Sequence, residues 1–220
     1  MLPTLFVGNQ NYSSWSLRPW LALRWGGIDH ELRVIPLGGV GYTERRMPEV
    51  LAVSPSGTVP SLRLGDDTIW DSLAICEWAA ERKAMLWPSD PTARAYARAA
   101  TCEMHSGFSA IRSKLACNIR RRAEPRVLGD DVRREIARVE TLWSTLAQRF
   151  SGGGPYLFGE RPTIADAFFT PMATRFRSYA VPLAPETQRY ADALLADPTF
   201  RVWEEAAERE PMTMPIWDAL

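Results

Sequence analysis

The hydrophobic pattern changes its period once along the chain, and that change constrains the fold more than any other feature. Up to Lys83, short apolar runs of strand character alternate with runs at helical spacing. Beyond Met85-Leu86-Trp87-Pro88-Ser89-Asp90-Pro91 the strand patterns almost vanish. Two prolines and two cap-forming residues mark that stretch as a linker. The reading is an α/β domain over residues 1–83, a linker over 84–90 and an all-helical domain over 91–220, with no internal repeat.

In the first part, Thr4 to Val7 reads as a strand and Trp15 to Trp25 as a helix stopped by Gly26-Gly27. Glu31 to Pro36 alternates as a second strand. Glu44 to Val53 reads as a short helix, ended by Ser54-Pro55-Ser56-Gly57. Ser61 to Leu64 and Thr68 to Trp70 read as strands joined by a Gly65-Asp66-Asp67 turn, and Asp71 to Arg82 as a helix. The order βαβαββα predicts a compact mixed sheet with helices on its faces. In the second part, the spacing predicts one long helix from Thr92 to about Arg122 and another over Asp130 to Phe150. A third runs from Thr163 to about Tyr179, with shorter helices at Glu186 to Ala196 and Phe200 to Glu210. Thr163-Ile164-Ala165-Asp166 reads as a capping box, a structural role.

Charge excludes some partners. Lys plus Arg and Asp plus Glu are both 26, so the net charge is zero and nothing asks for nucleic acid or an anionic membrane. Arg120-Arg121-Arg122 is the only local basic cluster and reads as a solvated helix end. Three cysteines without a C-x-x-C spacing argue against a disulfide framework, a metal site or a dithiol redox motif. No stretch approaches the ~20 apolar residues of a membrane span, and the start lacks a signal-peptide pattern. A cytoplasmic location is the expectation.

Three short stretches carry possible chemistry. Tyr12, Ser13, Ser14 and Ser16 crowd hydroxyls at the mouth of the first helix. A helix N-terminus has free N–H groups and a partial positive charge, so a hydroxyl there would stabilise a ligand's thiolate. The same serines also read as plain N-caps. Pro60 opens a strand, and a cis Val59–Pro60 bond would aim the Val59 N–H and C=O at a peptide-like ligand. Asp71-Ser72 sits where a strand turns into a helix and suits an α-amino-acid head group, although capping alone would also account for it. An amino-acid end, a peptide bond and a thiol together describe glutathione.

With those residues in that order, the chain resembles the cytosolic glutathione transferases over essentially its whole length. "YSSWSLRPWLAL" is similar to the opening of the zeta class, with Trp15 where that class has cysteine. The resemblance implies a thioredoxin-like domain followed by a helical domain. It implies Ser13 as the catalytic serine and Ser14 as its sulfur-contacting neighbour, with Tyr12 the rival hydroxyl. It assigns Val59, with cis Pro60, to the cysteinyl backbone of glutathione and Asp71 and Ser72 to its γ-glutamyl end. Arg45, Arg46 and Thr58 are the candidates for the glycine carboxylate. The second substrate would sit between the domains, near Tyr12 and Trp15. His105, Phe108, Ser109 and Arg112 would face it from one helical stripe, with Arg175 and Arg177 late in the Thr163 helix available to an acidic substrate. His105 equally reads as a packing residue. The implied activity is transfer of the glutathione thiolate to a small electrophile, in a homodimer. The alternatives are a glutathione-dependent isomerase of the maleylacetoacetate type and a non-catalytic protein-binding module.

Overall fold

The computed structural model describes residues 2–220. Four strands form one mixed sheet in the order β2-β1-β3-β4. β1 (Thr4–Val7) and β2 (Glu31–Val34) are parallel, in the register Thr4↔Glu31 to Val7↔Val34, and helix α1 (Ser14–Trp25) makes the crossover between them. A parallel pair needs such a crossover, whereas the antiparallel β3 (Ser61–Leu64) and β4 (Asp67–Ile69) need only a tight turn. Gly65, at φ +65°, supplies the left-handed residue of that turn. The turn is therefore Gly65-Asp66, one residue shorter than expected, and β4 ends before Trp70. α3 (Ser72–Arg82) packs beside α1. α2 is only Pro48–Leu51, because Arg45 holds a left-handed φ of +56° that no helix tolerates.

The remaining regular elements are helical: α4 (Pro91–Ser106), α5 (Ser109–Lys114), α6 (Asp130–Phe150), α7 (Ile164–Ser178), α8 (Pro185–Ala196), α9 (Pro198–Arg209) and α10 (Pro215–Asp218). The long helix expected to reach Arg122 is instead broken at Gly107-Phe108. Phe108 takes φ +60° and buries its ring. The carbonyls left free at the end of α4 are taken by Arg112, whose guanidinium folds back onto Met104, His105 and Gly107. Residues 115–122 are not helical, and Arg120 is no solvated helix end. It donates to the Glu210 and Met212 carbonyls, at 2.8 and 2.7 Å, and to the Tyr12 hydroxyl.

α7 is the central helix, buried on nearly every side and in contact with α1, α4 and α8. Its entry is the capping box. The Asp166 carboxylate takes the N–H and hydroxyl of Thr163, the Leu157 N–H and the Tyr190 hydroxyl. One apolar core runs without interruption from Leu5 and Val7 through Leu21 to Phe168, Phe169 and Trp203, with Trp20 of α1 against Trp203 of α9 at 5.1 Å. The α1–α7 contact fixes the mouth of α1 against the helices, and a cavity opens there. Among the described residues no helix is long and apolar enough to cross a membrane.

Candidate active site

A cavity of about 590 Å³ lies over the N-terminus of α1. The loop before α1 is held rigidly. Asn9 O takes the N–H groups of Tyr12 and Ser13, and the Glu210 carboxylate takes those of Gln10 and Asn11 at 2.7 and 2.9 Å. Ser13 lines the cavity at 7% exposure. It occupies the N-cap position of α1, yet its hydroxyl caps no backbone group. Its Oγ lies 2.7 Å from Ser16 Oγ, which accepts the Gly8 N–H at 3.1 Å. Ser16 can therefore give its own hydrogen to Ser13, which leaves the Ser13 hydrogen free to point at a ligand.

Ser14 and Tyr12 are placed differently from Ser13. Ser14 is buried away from the cavity wall and accepts from Arg175 Nη2 at 3.1 Å. Tyr12 lines the cavity, but its hydroxyl donates to the Asp218 carboxylate at 2.9 Å and accepts from Arg120 and the Met214 N–H. Its proton is already committed.

The Val59–Pro60 bond is cis, and Thr58, Val59 and Pro60 all line the cavity. Among the described residues no other backbone group engages the Val59 N–H or C=O. The approach to this step depends on Gly57: at φ +66°, a Cβ there would sit 2.1 Å from the Arg45 carbonyl oxygen. That close approach brings Arg45 into the cavity wall. Arg46 lies outside it, exposed, because the left-handed turn at Arg45 directs the chain away.

Asp71 and Ser72 also line the cavity. Asp71 caps α3 through Oδ1, from the Leu73 N–H at 2.9 Å, and its Oδ2 lies 3.1 Å from His105 Nε2. The Ser72 Oγ is buried without any hydrogen-bond partner. His105 thus reaches the Asp71 end of the cavity, a place its position on the helical stripe did not suggest. Burial holds its imidazole pKa down, with Arg18 and Arg112 adding to the shift and Asp71 opposing it.

The expected second-substrate stripe is not formed. The break in the helix turns Phe108 into the core and leaves Ser109 on the surface, outside the cavity wall. Arg177 turns to the buried Glu204 instead. Arg175 is buried, donating to Ser14 and to the Pro171 carbonyl. Trp15 does line the cavity, and its ring covers two guanidinium groups, those of Arg18 at 4.2 Å and Arg112 at 4.7 Å. Burial and then Arg175 hold the Arg112 pKa down at about 10. None of Arg18, Arg112 and Arg175 forms a salt bridge among the described residues.

Sequence reasoning missed Arg18 and the C-terminal wall. Arg18 sets a charge among Leu17, Pro19, Trp20 and Leu21, three residues after Trp15, which was a legible signal. Ile216 and Trp217 of α10 close one side of the cavity, and Pro215 at the start of that helix was its only signal. Among the described residues no cluster of potential ligands could hold a metal ion.

A thioredoxin-like sheet with a cis-proline, facing a helical bundle across a cavity at the mouth of α1, defines a glutathione transferase fold. Residues 12–82 match the family model for the glutathione S-transferase N-terminal domain, and residues 104–206 match that for the C-terminal domain. The chain is 30% identical to the maleylacetoacetate isomerase of Pseudomonas aeruginosa over 211 residues, covering 90% of this chain and 93% of that one. It superposes with a TM-score of 0.71 on a glutathione transferase homologue from Burkholderia gl BGR1 with bound glutathione, at 22% identity, over 96% and 100% of the two chains. A maleyl pyruvate isomerase described as a bacterial zeta-class glutathione S-transferase gives the same TM-score and identity, over 96% and 99%. The chain belongs to the glutathione S-transferase family and is zeta-like within it.

Proposed function

We propose that the chain is a glutathione-dependent cis–trans isomerase of small enone diacids of the maleyl type. The observation that carries this reading is the charge behind Ser13. The guanidinium groups of Arg18, Arg112 and Arg175 gather beside the Ser13-Ser14-Trp15 turn; Asp71 and Glu135 act on Arg18 and Arg112 from a distance, but among the described residues no carboxylate forms a salt bridge with any of the three. Unpaired buried cations are costly, and an acidic substrate would offset that cost. The zeta-like relatives, isomerases by name, support the same reading.

The cavity residues fit glutathione. The orphaned Ser72 Oγ, together with Asp71 and the start of α3, suits the γ-glutamyl head group. The unengaged Val59 backbone suits the cysteinyl peptide, and Arg45 and Thr58 are near enough to share the other carboxylate. Bound glutathione supplies a thiolate that adds reversibly to the cis double bond, allows rotation about it and is released unchanged. The Ser13 hydroxyl donates to the sulfur, with Ser16 orienting it and the α1 N-terminus adding its field. The arginines orient the diacid and stabilise the negative charge that builds on its carbonyl side. Trp15 and Trp217 exclude water. Zeta-like membership also makes a homodimer the expected assembly, and sedimentation at twice the chain mass would support it.

The test is product analysis with a cis-enone diacid and substoichiometric glutathione. The account expects trans isomer over many turnovers with the thiol titre unchanged. One thiol lost per product would make the chain a conjugating transferase. No reaction, and no glutathione binding at millimolar concentration, would leave the protein-binding alternative.

A further inference from the structure

His105 stands in the last turn of α4, in the helical domain, yet its Nε2 lies 3.1 Å from Asp71 Oδ2 at the start of α3. The two oxygens of that carboxylate have different partners. Oδ1 takes the Leu73 N–H at 2.9 Å, and Oδ2 faces the imidazole. An ionised carboxylate only accepts, so Nε2 carries the hydrogen of this contact. The other ring nitrogen, Nδ1, is buried and meets no hydrogen-bond partner among the described residues. The Trp15 and Phe168 rings pack against the imidazole instead, at centroid separations of 5.4 and 6.0 Å. A second proton, on Nδ1, would find no acceptor, so the packing itself favours the neutral ring. The charged groups facing His105 are Asp71, Arg18 from α1 and Arg112 from α5, and the two guanidiniums oppose a third positive charge beside them. His105, Asp71 and Ser72 all line the cavity.

We propose that His105 is a positioning residue for glutathione: its neutral imidazole holds Asp71 in place for the α-ammonium of the γ-glutamyl end, and its protonation cancels that charge and releases the ligand. This rests on the glutathione site proposed above and adds to it a residue of the helical domain and a dependence on pH. Neutral His105 fixes Oδ2 by one hydrogen bond and leaves Asp71 its full negative charge. An imidazolium would pair with Asp71 and confront the incoming ammonium with a like charge. The ligand therefore favours the neutral form. Affinity is full above the imidazole value, which is held below the ordinary 6.5, and is lost as pH falls through it.

The test uses the full chain and two probes, with binding measured by calorimetry between pH 7.5 and 5. The first probe is S-methylglutathione, whose sulfur has no proton to lose, so the thiol adds nothing to the pH dependence. The second is the same thioether without its α-amino group. Wild-type affinity for the first should fall at least ~5-fold toward pH 5, the scale of one half-exposed charge contact. Affinity for the second should hold or rise, because an imidazolium opposes no ammonium there. His105→Leu should weaken S-methylglutathione at pH 7.5 by a similar factor. His105→Gln keeps a donor that can reach Asp71 but does not titrate; it should recover most of that loss and show no fall in acid. Parallel behaviour of the two probes in wild type would place the acid effect elsewhere and overturn the proposal, as would a flat wild-type profile or an unchanged acid fall in His105→Gln. If His105→Leu does not fold, the opposite trends of the two probes in wild type decide alone. No binding of S-methylglutathione by wild type at any pH would refute the glutathione reading, and this assignment with it. Binding without the acid fall would overturn the assignment and leave that reading standing.

Discussion

At the scale of single residues, one hydroxyl differs from its neighbours in being free. Ser13 Oγ touches Ser16 and caps nothing, whereas Ser14 serves Arg175 and Tyr12 serves Asp218. Ser13→Ala should therefore lower kcat/KM on a cis-enone diacid by about 10²-fold, the effect of losing one positioned anion donor. Steady-state kinetics at fixed glutathione checks this. Tyr12→Phe should leave the pKa of the bound thiol alone and cost about 1–3 kcal/mol in urea unfolding, since it removes the bond to Asp218 and the acceptor of Arg120 and the Met214 N–H. Sequence reasoning placed Ser13, Val59, Asp71 and Ser72 around one cavity because each sits next to a helix start or a proline, where local chemistry is written in neighbouring residues. It could not separate Ser13 from Ser14. Their difference lies in partners 161 residues away, Arg175 for Ser14, and in the Gly8–Ser16 contact that turns Ser13 outward.

At the scale of elements, the strands and the two longest helices beyond α4 were legible because their hydrophobic periods are clean. The end of α4 was not. The apolar spacing continues through Ile111 and Leu115, and only the Gly107-Phe108 pair marks the break. Gly107 is required there, since a Cβ would lie 2.8 Å from the Glu103 carbonyl oxygen. Phe108→Gly would relieve a left-handed residue worth about 1–2 kcal/mol but would delete a buried ring worth about 3–5 kcal/mol. Loss of the ring should dominate, with net destabilisation of about 2 kcal/mol by denaturant unfolding. The C-terminal segment was illegible for a different reason. Glu210, Asp218 and Trp217 matter through contacts with Gln10, Tyr12 and Tyr42, and no periodicity records pairings across the chain.

At the scale of the molecule, zero net charge conceals an uneven distribution. Basic groups collect behind the cavity, while buried carboxylates hold loops and helix entries. Asp166 is the clearest of these: burial pushes its carboxyl pKa up, and the bonds from Thr163, Tyr190 and Leu157 pull it only partly back. The folded state then binds a proton more tightly than the unfolded chain, so νN exceeds νU and the slope of stability with pH is negative for this group. Its contribution is full below the unfolded carboxyl value of about 4 and is lost as pH rises through the native one. Asp166→Asn should flatten that decline in Tm above about pH 4, while lowering Tm throughout by leaving backbone donors poorly met. Glu210, also shifted upward by burial, titrates in the same sense. The cavity joins these scales, and the proposed function rests on a thiolate held at Ser13. The most direct measurement is an ultraviolet difference titration of the thiol of bound glutathione, in wild type and in Ser13→Ala. The account predicts a wild-type thiol pKa at least ~1 unit below the ~8.5 of a free thiol, returning toward that value in the variant. Identical titrations in the two proteins, or a wild-type thiol that titrates like a free one, would contradict it.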